Sequence, residues 1–370
     1  MMISLAVPFV NFQERYAQHR QAILTAVDQV FSSGNYILGE CVARCEQALS
    51  DYLKTPYVLT VANGTDAIIL ALKILDIGAG DEVIVPVNSF VASAGAAIAV
   101  GATPVFCDVS DDFNIDVNKI AQCVTKKTKA IMPVHLTGRP ADMKEIMRIA
   151  AENNLFVIED AAQSIGAQYQ GKMTGVIGDA GCFSLHPLKN LHVYGDGGVV
   201  VVKNQTHYEQ LKLLRNHGLK DRNTCVQWGL NSRLDAVQAA IMLHGLSYID
   251  SWNTRRREIA KQYADALGAL VIVPRETNDI ISVYHNFVIQ TDQRDALAAY
   301  LKENGIDTRV HYPVPLHLQP AAKNLGYCLG NFPVAERLVN TMLSLPVYPE
   351  LHVHEIEYIT EKIRAFFHGY

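Results

Sequence analysis

Three short segments of the 370-residue chain carry side chains that could do chemistry together. The first is Phe183-Ser184-Leu185-His186-Pro187-Leu188-Lys189-Asn190-Leu191. A lysine with apolar neighbours on a loop between strands can have its ammonium desolvated and its pKa lowered. Such an amine is a Schiff-base nucleophile, although most lysines simply extend their heads to water. The second segment is Glu159-Asp160-Ala161-Ala162-Gln163-Ser164. Two acids closing an apolar run must be solvated, capped or paired, and a helix cap is the plain alternative for Asp160. The third is Ala62-Asn63-Gly64-Thr65-Asp66. Gly64 permits close backbone approach and Thr65 can cap a following helix. The free N–H groups of that helix start and the hydroxyl would suit a phosphate, while a cap without a ligand accounts for the same residues. The chain has neither G-x-G-x-x-G nor G-x-x-x-x-G-K-[ST], which removes the main support for a dinucleotide or P-loop site.

Together these groups suit one cofactor. Pyridoxal phosphate needs a lysine for its aldehyde, an acid for its pyridine nitrogen and donors for its phosphate. Lys189, Asp160 and the Gly64-Thr65 start supply them, with Ser184 a further phosphate candidate. The acid precedes the lysine by 189 − 160 = 29 residues, room for an intervening loop and strand. Tyr194-Gly195-Asp196-Gly197-Gly198 reads as a tight turn.

The elements that must position these residues alternate. Short β-branched runs at 57–61, 82–87, 103–108, 129–134 and 155–159 are separated by helical periods at 66–75, 90–100 and 143–152. Alternating strands and helices with continuous apolar strands predict a mostly parallel sheet covered on both faces, an α/β fold. Strands at 182–184 and 198–202 and a helix at 207–217 extend it, and a helix at 12–32, stopped by Ser33-Gly34-Asn35, precedes it. Residues 235–267 read as helix interrupted near Gly245. Strands at 271–273 and 282–289, a helix at 294–304, a proline-rich stretch at 311–320 and a last helix at 353–367 follow. We divide the chain into a large α/β domain, 16–243, and a smaller α+β domain, 244–370, with 1–15 an arm.

Composition bounds the function. Hydrophobic residues are 49% and charged residues 19%, which excludes disordered, collagenous and coiled-coil classes. A net charge of −5 gives no basic face for nucleic acid. The seven cysteines include no Cys-x-x-Cys and read as reduced thiols of a cytoplasmic protein, with no metal site. The N-terminus lacks the charged start of a signal peptide, and no apolar stretch is long enough to span a membrane.

The sequence resembles the DegT/StrS-type sugar aminotransferases, pyridoxal-phosphate enzymes of fold-type I. The likeness covers nearly the whole chain. It rests on Ser33–Gly39, Ala62–Ala67, Glu159–Ser164, Ser184–Gly198, Asn231-Ser232-Arg233-Leu234-Asp235 and His311-Tyr312-Pro313, in the family's order. The resemblance implies that Lys189 links to the cofactor and Asp160 pairs with its pyridine nitrogen, while Gln163 approaches its phenolic oxygen. It further implies that Gly64, Thr65 and Ser184 hold the phosphate and that Phe90 stacks on the ring. Asn231 matches a residue that reaches the phosphate of the neighbouring subunit, so a homodimer with sites at the interface is implied. The family's dehydratase relatives replace the lysine with histidine, whereas here His186 and His192 flank Lys189 without replacing it.

The expected activity is therefore transfer of an amino group from L-glutamate to a nucleotide-linked keto-sugar in surface-polysaccharide or glycoside biosynthesis. In the family, the stretch Tyr312-Pro313-Val314-Pro315-Leu316-His317 resembles enzymes aminating at C3, so a 3-keto-deoxysugar is expected, with His311 and Tyr312 lining the pocket. A stiff structural loop accounts for the same prolines. The alternatives are a 4-keto-sugar or keto-cyclitol aminotransferase, or a non-catalytic regulator of the same fold.

Overall fold

The structure, a computed structural model, describes residues 6–369. A seven-stranded sheet runs through it in the order Val58–Val61, Gly198–Val202, Ala180–Ser184, Phe156–Asp160, Thr128–Ile131, Glu82–Pro86, Thr103–Cys107. The last five are mutually parallel, and Gly198–Val202 runs antiparallel to both of its neighbours. Alternate side chains of that reversed strand enter two different apolar layers. Val200 and Val202 meet the helix Gly64–Ile74, while Val199 and Val201 meet the helices Gly39–Leu53 and Ala236–Leu246. Burial on both faces is why these strands read as unbroken apolar runs rather than alternating ones.

The reversed strand has a consequence for chemistry. Its first residue, Gly198, pairs with both Val61 and Ser184. The ends of the outer strands therefore share one rim with the carboxyl ends of the five parallel strands, where open α/β sheets bind ligands.

The C-terminal part closes over the far end of this rim. Helices Ile249–Leu267, Arg294–Glu303 and Val353–His368 bury Tyr263, Leu297 and Ile359 around the two-stranded pair Phe287–Gln290 and Met342–Leu345, with Val7 in the same cluster. The expected helical stretch 235–267 is two helices that meet at a turn, Ser247–Tyr248. Two expected strands differ. Residues 271–273 contribute only the bridge Ile272 to Gln290. The expected strand 282–289 is divided: Ile280–Ile281 pairs with Gln168–Tyr169, and pairing with Met342–Leu345 starts only at Phe287. Between them Val283 N–H donates to Gly138 O (3.0 Å) and Asn286 N–H to Thr137 O (3.2 Å), so the backbone is spent on another part of the chain. Helices Gly39–Leu53, Val117–Cys123 and Pro333–Thr341 were not anticipated.

Candidate active site

Lys189 stands on the loop that joins Ala180–Ser184 to Gly198–Val202. The loop is closed at its neck by Val193 N–H to Leu185 O (3.1 Å) and internally by Lys189 N–H to His186 O (2.8 Å). Asn190 anchors it, its Nδ2 donating to Asn253 Oδ1 (2.8 Å) and Val283 O (3.0 Å). Burial pushes the Lys189 ammonium down to about 8, against the pull of the Asp160 carboxylate. Its amine is thus readily available as a base and nucleophile near neutrality. Histidines surround it. His186, His285 and His311 are all lowered, each by burial first and by the neighbouring Lys189 charge next; His311 falls to about 4.

Asp160 ends its strand with 4% exposure. Its Oδ2 accepts from Ser93 Oγ (2.8 Å) and its Oδ1 from Ala162 N–H (3.2 Å). Burial raises its pKa, opposed by Ser93, Ala162, Lys189 and His135. No helix follows, so Asp160 is not a helix cap. Glu159 points to the opposite side of the strand, as alternation requires. There its carboxylate accepts from the amides of Gly175 (2.7 Å), Ile177 (2.7 Å) and Gly178 (2.6 Å) and meets His135 Nε2 at 2.9 Å. His135 Nδ1 accepts from Ala141 N–H (3.0 Å), which leaves the ring proton on Nε2, facing Glu159. Of the two adjacent acids, Glu159 is consumed by structure and Asp160 remains at the rim.

The third segment begins the helix Gly64–Ile74, with one correction. The cap is Asn63, whose Oδ1 accepts from Asp66 N–H (2.8 Å); Thr65 lies inside the first turn. Its hydroxyl has no hydrogen-bond partner among the described residues, and neither do the amides of Gly64 and Thr65. A Cβ on Gly64 would come 2.8 Å from Ser184 Cβ, and one on Gly198 would come 2.2 Å from Asn63 O. Two glycines thus let the helix start, Ser184 and the reversed strand converge on one spot.

The remaining candidates gather above these groups. Gln163 Oε1 accepts from Thr137 N–H (2.7 Å), and its Nε2 donates to Tyr312 Oη (3.2 Å). The Phe90 and Tyr312 ring centroids are 5.6 Å apart, and Phe90 is 53% exposed at the start of the helix Val91–Ala99. His311 Nδ1 lies 2.9 Å from Ser344 Oγ. The stretch 311–316 is tied back to the rim by Leu316 N–H to Val87 O (2.9 Å). The structure therefore brings together Lys189, Asp160, Gln163, Phe90, His311 and Tyr312, with Gly64, Thr65 and Ser184 at the adjacent strand ends. It does not bring Asn231 into this group. Asn231 is exposed on the surface beyond Val58–Val61, where Ser232 Oγ accepts from Ala62 N–H (3.2 Å). Ser93, Thr137 and His285 were not anticipated.

These residues suit pyridoxal phosphate. A buried carboxylate with raised pKa and only two neutral donors calls for a cation, which a protonated pyridine nitrogen would be. The unpartnered amides and hydroxyl at Gly64-Thr65, next to Ser184, are the donor set of a phosphate site.

Residues 17–364 match the model of the DegT/DnrJ/EryC1/StrS aminotransferase family. A "pleiotropic regulatory protein" of Geobacillus stearothermophilus is 42% identical over 98% of either chain. A UDP-N-acetyl-3-dehydro-alpha-D-glucosamine 3-aminotransferase of Acidithiobacillus ferrooxidans is 41% identical over the full length of both. Among solved structures, DesV of S. venezuelae superimposes with a TM-score of 0.96 at 38% identity, over 99% of each chain.

Proposed function

The chain belongs to the DegT/DnrJ/EryC1/StrS aminotransferase family, whose enzymes depend on pyridoxal phosphate, and from that premise we propose that it moves an amino group from L-glutamate to a nucleotide-linked 3-keto-sugar. One observation carries the reading: Lys189, on the loop after Ala180–Ser184, and Asp160, which ends the neighbouring strand, lie close enough at one rim that each charge shifts the other's pKa. The 3-aminotransferase relative supports C3 as the position.

Bound there, pyridoxal phosphate supplies an aldehyde for an amine and a ring that takes up an electron pair. Lys189 would link to the aldehyde and, once displaced, would take the donor's Cα proton on Nζ as base and deliver it as acid to the cofactor's former aldehyde carbon, with the same transfer run in reverse for the acceptor. Asp160, oriented by Ser93 and Ala162, holds a proton on the pyridine nitrogen. Gln163, fixed by Thr137, directs its Nε2 hydrogens toward the phenolic oxygen and Tyr312. Gly64, Thr65 and Ser184 hold the phosphate, and Phe90 stacks on the ring.

Homodimerisation belongs to the same proposal. Phe31, Tyr36, Ile37 and Trp228 are 58%, 49%, 47% and 92% exposed. Tyr36 joins the Asn231 segment directly, its carbonyl accepting from Ala236 N–H (2.9 Å). Exposed aromatic residues beside Asn231 support an interface across which it reaches the partner's phosphate. We also retain the division at residue 243 and a cytoplasmic location. The location is supported by seven unpaired cysteines and by the lack of any helix, among the described residues, long and apolar enough to cross a membrane.

A second reading, a cofactor-binding regulator without turnover, is favoured by the name of the Geobacillus relative. Adding L-glutamate to cofactor-loaded protein separates the two. Bleaching of the visible absorption band of the Lys189-linked cofactor, with recovery on adding a 3-keto nucleotide sugar, is the expected result. A band that glutamate leaves unchanged would favour the regulator.

A further inference from the structure

A cavity of about 400 Å³ lies on the other side of the Thr137–Arg139 turn, between the loop Asp111–Phe113 and residues 272–290. This is within the size range of small-molecule sites. It borders the Thr103–Cys107 edge of the sheet, whereas the exposed aromatic surface near Asn231 borders the Val58–Val61 edge. Its floor is apolar, made by Phe113, Val273 and Val288. Three polar groups converge above that floor. Ser282 is 7% exposed, and its hydroxyl has no partner among the described residues. Arg139 donates from Nε to Asp112 Oδ2 (3.3 Å) and from Nη1 to Arg275 O (2.6 Å), which leaves Nη2 without an acceptor among those residues. The Arg275 guanidinium makes no hydrogen bond among them either.

Charge narrows the ligand. Arg139, Arg275 and Arg337 face the cavity with Asp111 and Asp112, and each aspartate pairs with one arginine. Among the lining residues three cations less two anions leave one positive charge in excess, and the Glu276 carboxylate behind them is occupied by Tyr284 Oη (2.7 Å). An unfilled guanidinium position favours an acceptor, a planar bidentate one above others, and the Ser282 hydroxyl can donate to it.

We propose that this cavity is a second binding site, separate from the Lys189 centre, for a small organic monoanion with a flat apolar body, such as a ring-bearing carboxylate. The anionic group sits between Ser282 Oγ, Arg139 Nη2 and Arg275, and the ring lies on Phe113, Val273 and Val288. The site touches the catalytic residues through one turn, because Thr137, in its wall, donates its amide to Gln163 Oε1.

The test titrates cofactor-loaded protein with benzoate by calorimetry. Benzamide serves as the neutral isostere, and acetate as the anion without a ring. One saturable benzoate site is expected, with benzamide bound at least about tenfold more weakly, the cost of one lost charge-assisted hydrogen bond. Ser282→Leu, which fills the cavity, and Arg275→Ala, at an exposed residue that folding does not need, should each weaken benzoate by a similar factor. A lack of saturable binding would overturn the proposal. So would binding that persists unchanged in Arg275→Ala, because the carboxylate would then be occupying another site, the donor's included. Should Ser282→Leu not fold, Arg275→Ala decides alone.

Discussion

At the residue scale, Lys189 and Asp160 form a coupled pair, and the sign of each shift can be tested. Burial lowers Lys189 to about 8, and the Asp160 charge holds it from going lower. In cofactor-free protein the neutral amine should therefore appear as pH rises through about 8, well below an ordinary lysine. Mass-mapped acylation should show Lys189 labelling rise through that range while exposed lysines respond only near 10. Asp160→Asn removes the negative charge that raises Lys189, so the midpoint should move to lower pH. In the loaded enzyme the same variant should lose about 100- to 1000-fold in rate, as for other lost electrostatic stabilisers of a reaction centre. An unmoved midpoint with near wild-type turnover would return Asp160 to a structural role. Both residues were legible in the sequence, Asp160 because it closes a recognisable strand and Lys189 because it stands among apolar residues on the loop between two strands. Ser93 was not, since a serine on an alanine-rich helix looks ordinary and its partner is 67 residues away. Thr65 was misplaced by two positions as the cap, because Asn63 is as good a cap as threonine and nothing local separates them.

At the element scale, the rim depends on two glycines that allow a helix start to touch neighbouring strands. Gly64→Ala would bring a Cβ within 2.8 Å of Ser184 Cβ. Ser184 Cα would be 3.2 Å away as well, so the helix start or the strand end must shift, and alanine's helix preference of about 1 kcal/mol offsets only part of that cost. Cofactor affinity should fall at least about tenfold, through displaced phosphate donors. Fluorescence titration of the variant with pyridoxal phosphate checks this, and unchanged affinity would move the phosphate elsewhere. The parallel sheet was legible because its strands are buried on both faces. Three helices escaped notice: Val117–Cys123, although Asp116 caps it, and two that start without a side-chain cap from the preceding residue. Gly39–Leu53 begins after Leu38 with no side-chain cap. Pro333–Thr341 is capped from afar, its Val334 and Ala335 amides donating to the Asp108 carboxylate at 3.2 and 3.0 Å. The division of residues 280–290 was likewise hidden, because the 137–138 turn that competes for their backbone is remote in sequence.

At the scale of the whole molecule, Asn231 is exposed, in a segment joined to Tyr36 and near other exposed aromatic residues. If it completes the partner's phosphate site, cofactor affinity is linked to association. Asn231→Ala and Lys189→Ala protomers should each be inactive or weak alone. A mixed dimer should regain one working site, close to half the wild-type activity per dimer. No recovery, with both variants folded and dimeric, would confine Asn231 to a surface role. The central claim, that this chain carries nitrogen from glutamate to a 3-keto sugar through Lys189, is tested most directly with ¹⁵N-labelled L-glutamate and matched 3-keto and 4-keto isomers of one nucleotide sugar. Mass spectrometry and NMR should find the label at C3 of the sugar with wild-type protein, far less with the 4-keto isomer and none with Lys189→Ala. Wild-type protein that transfers no label to either isomer, or a Lys189→Ala variant that still transfers it, would contradict the account.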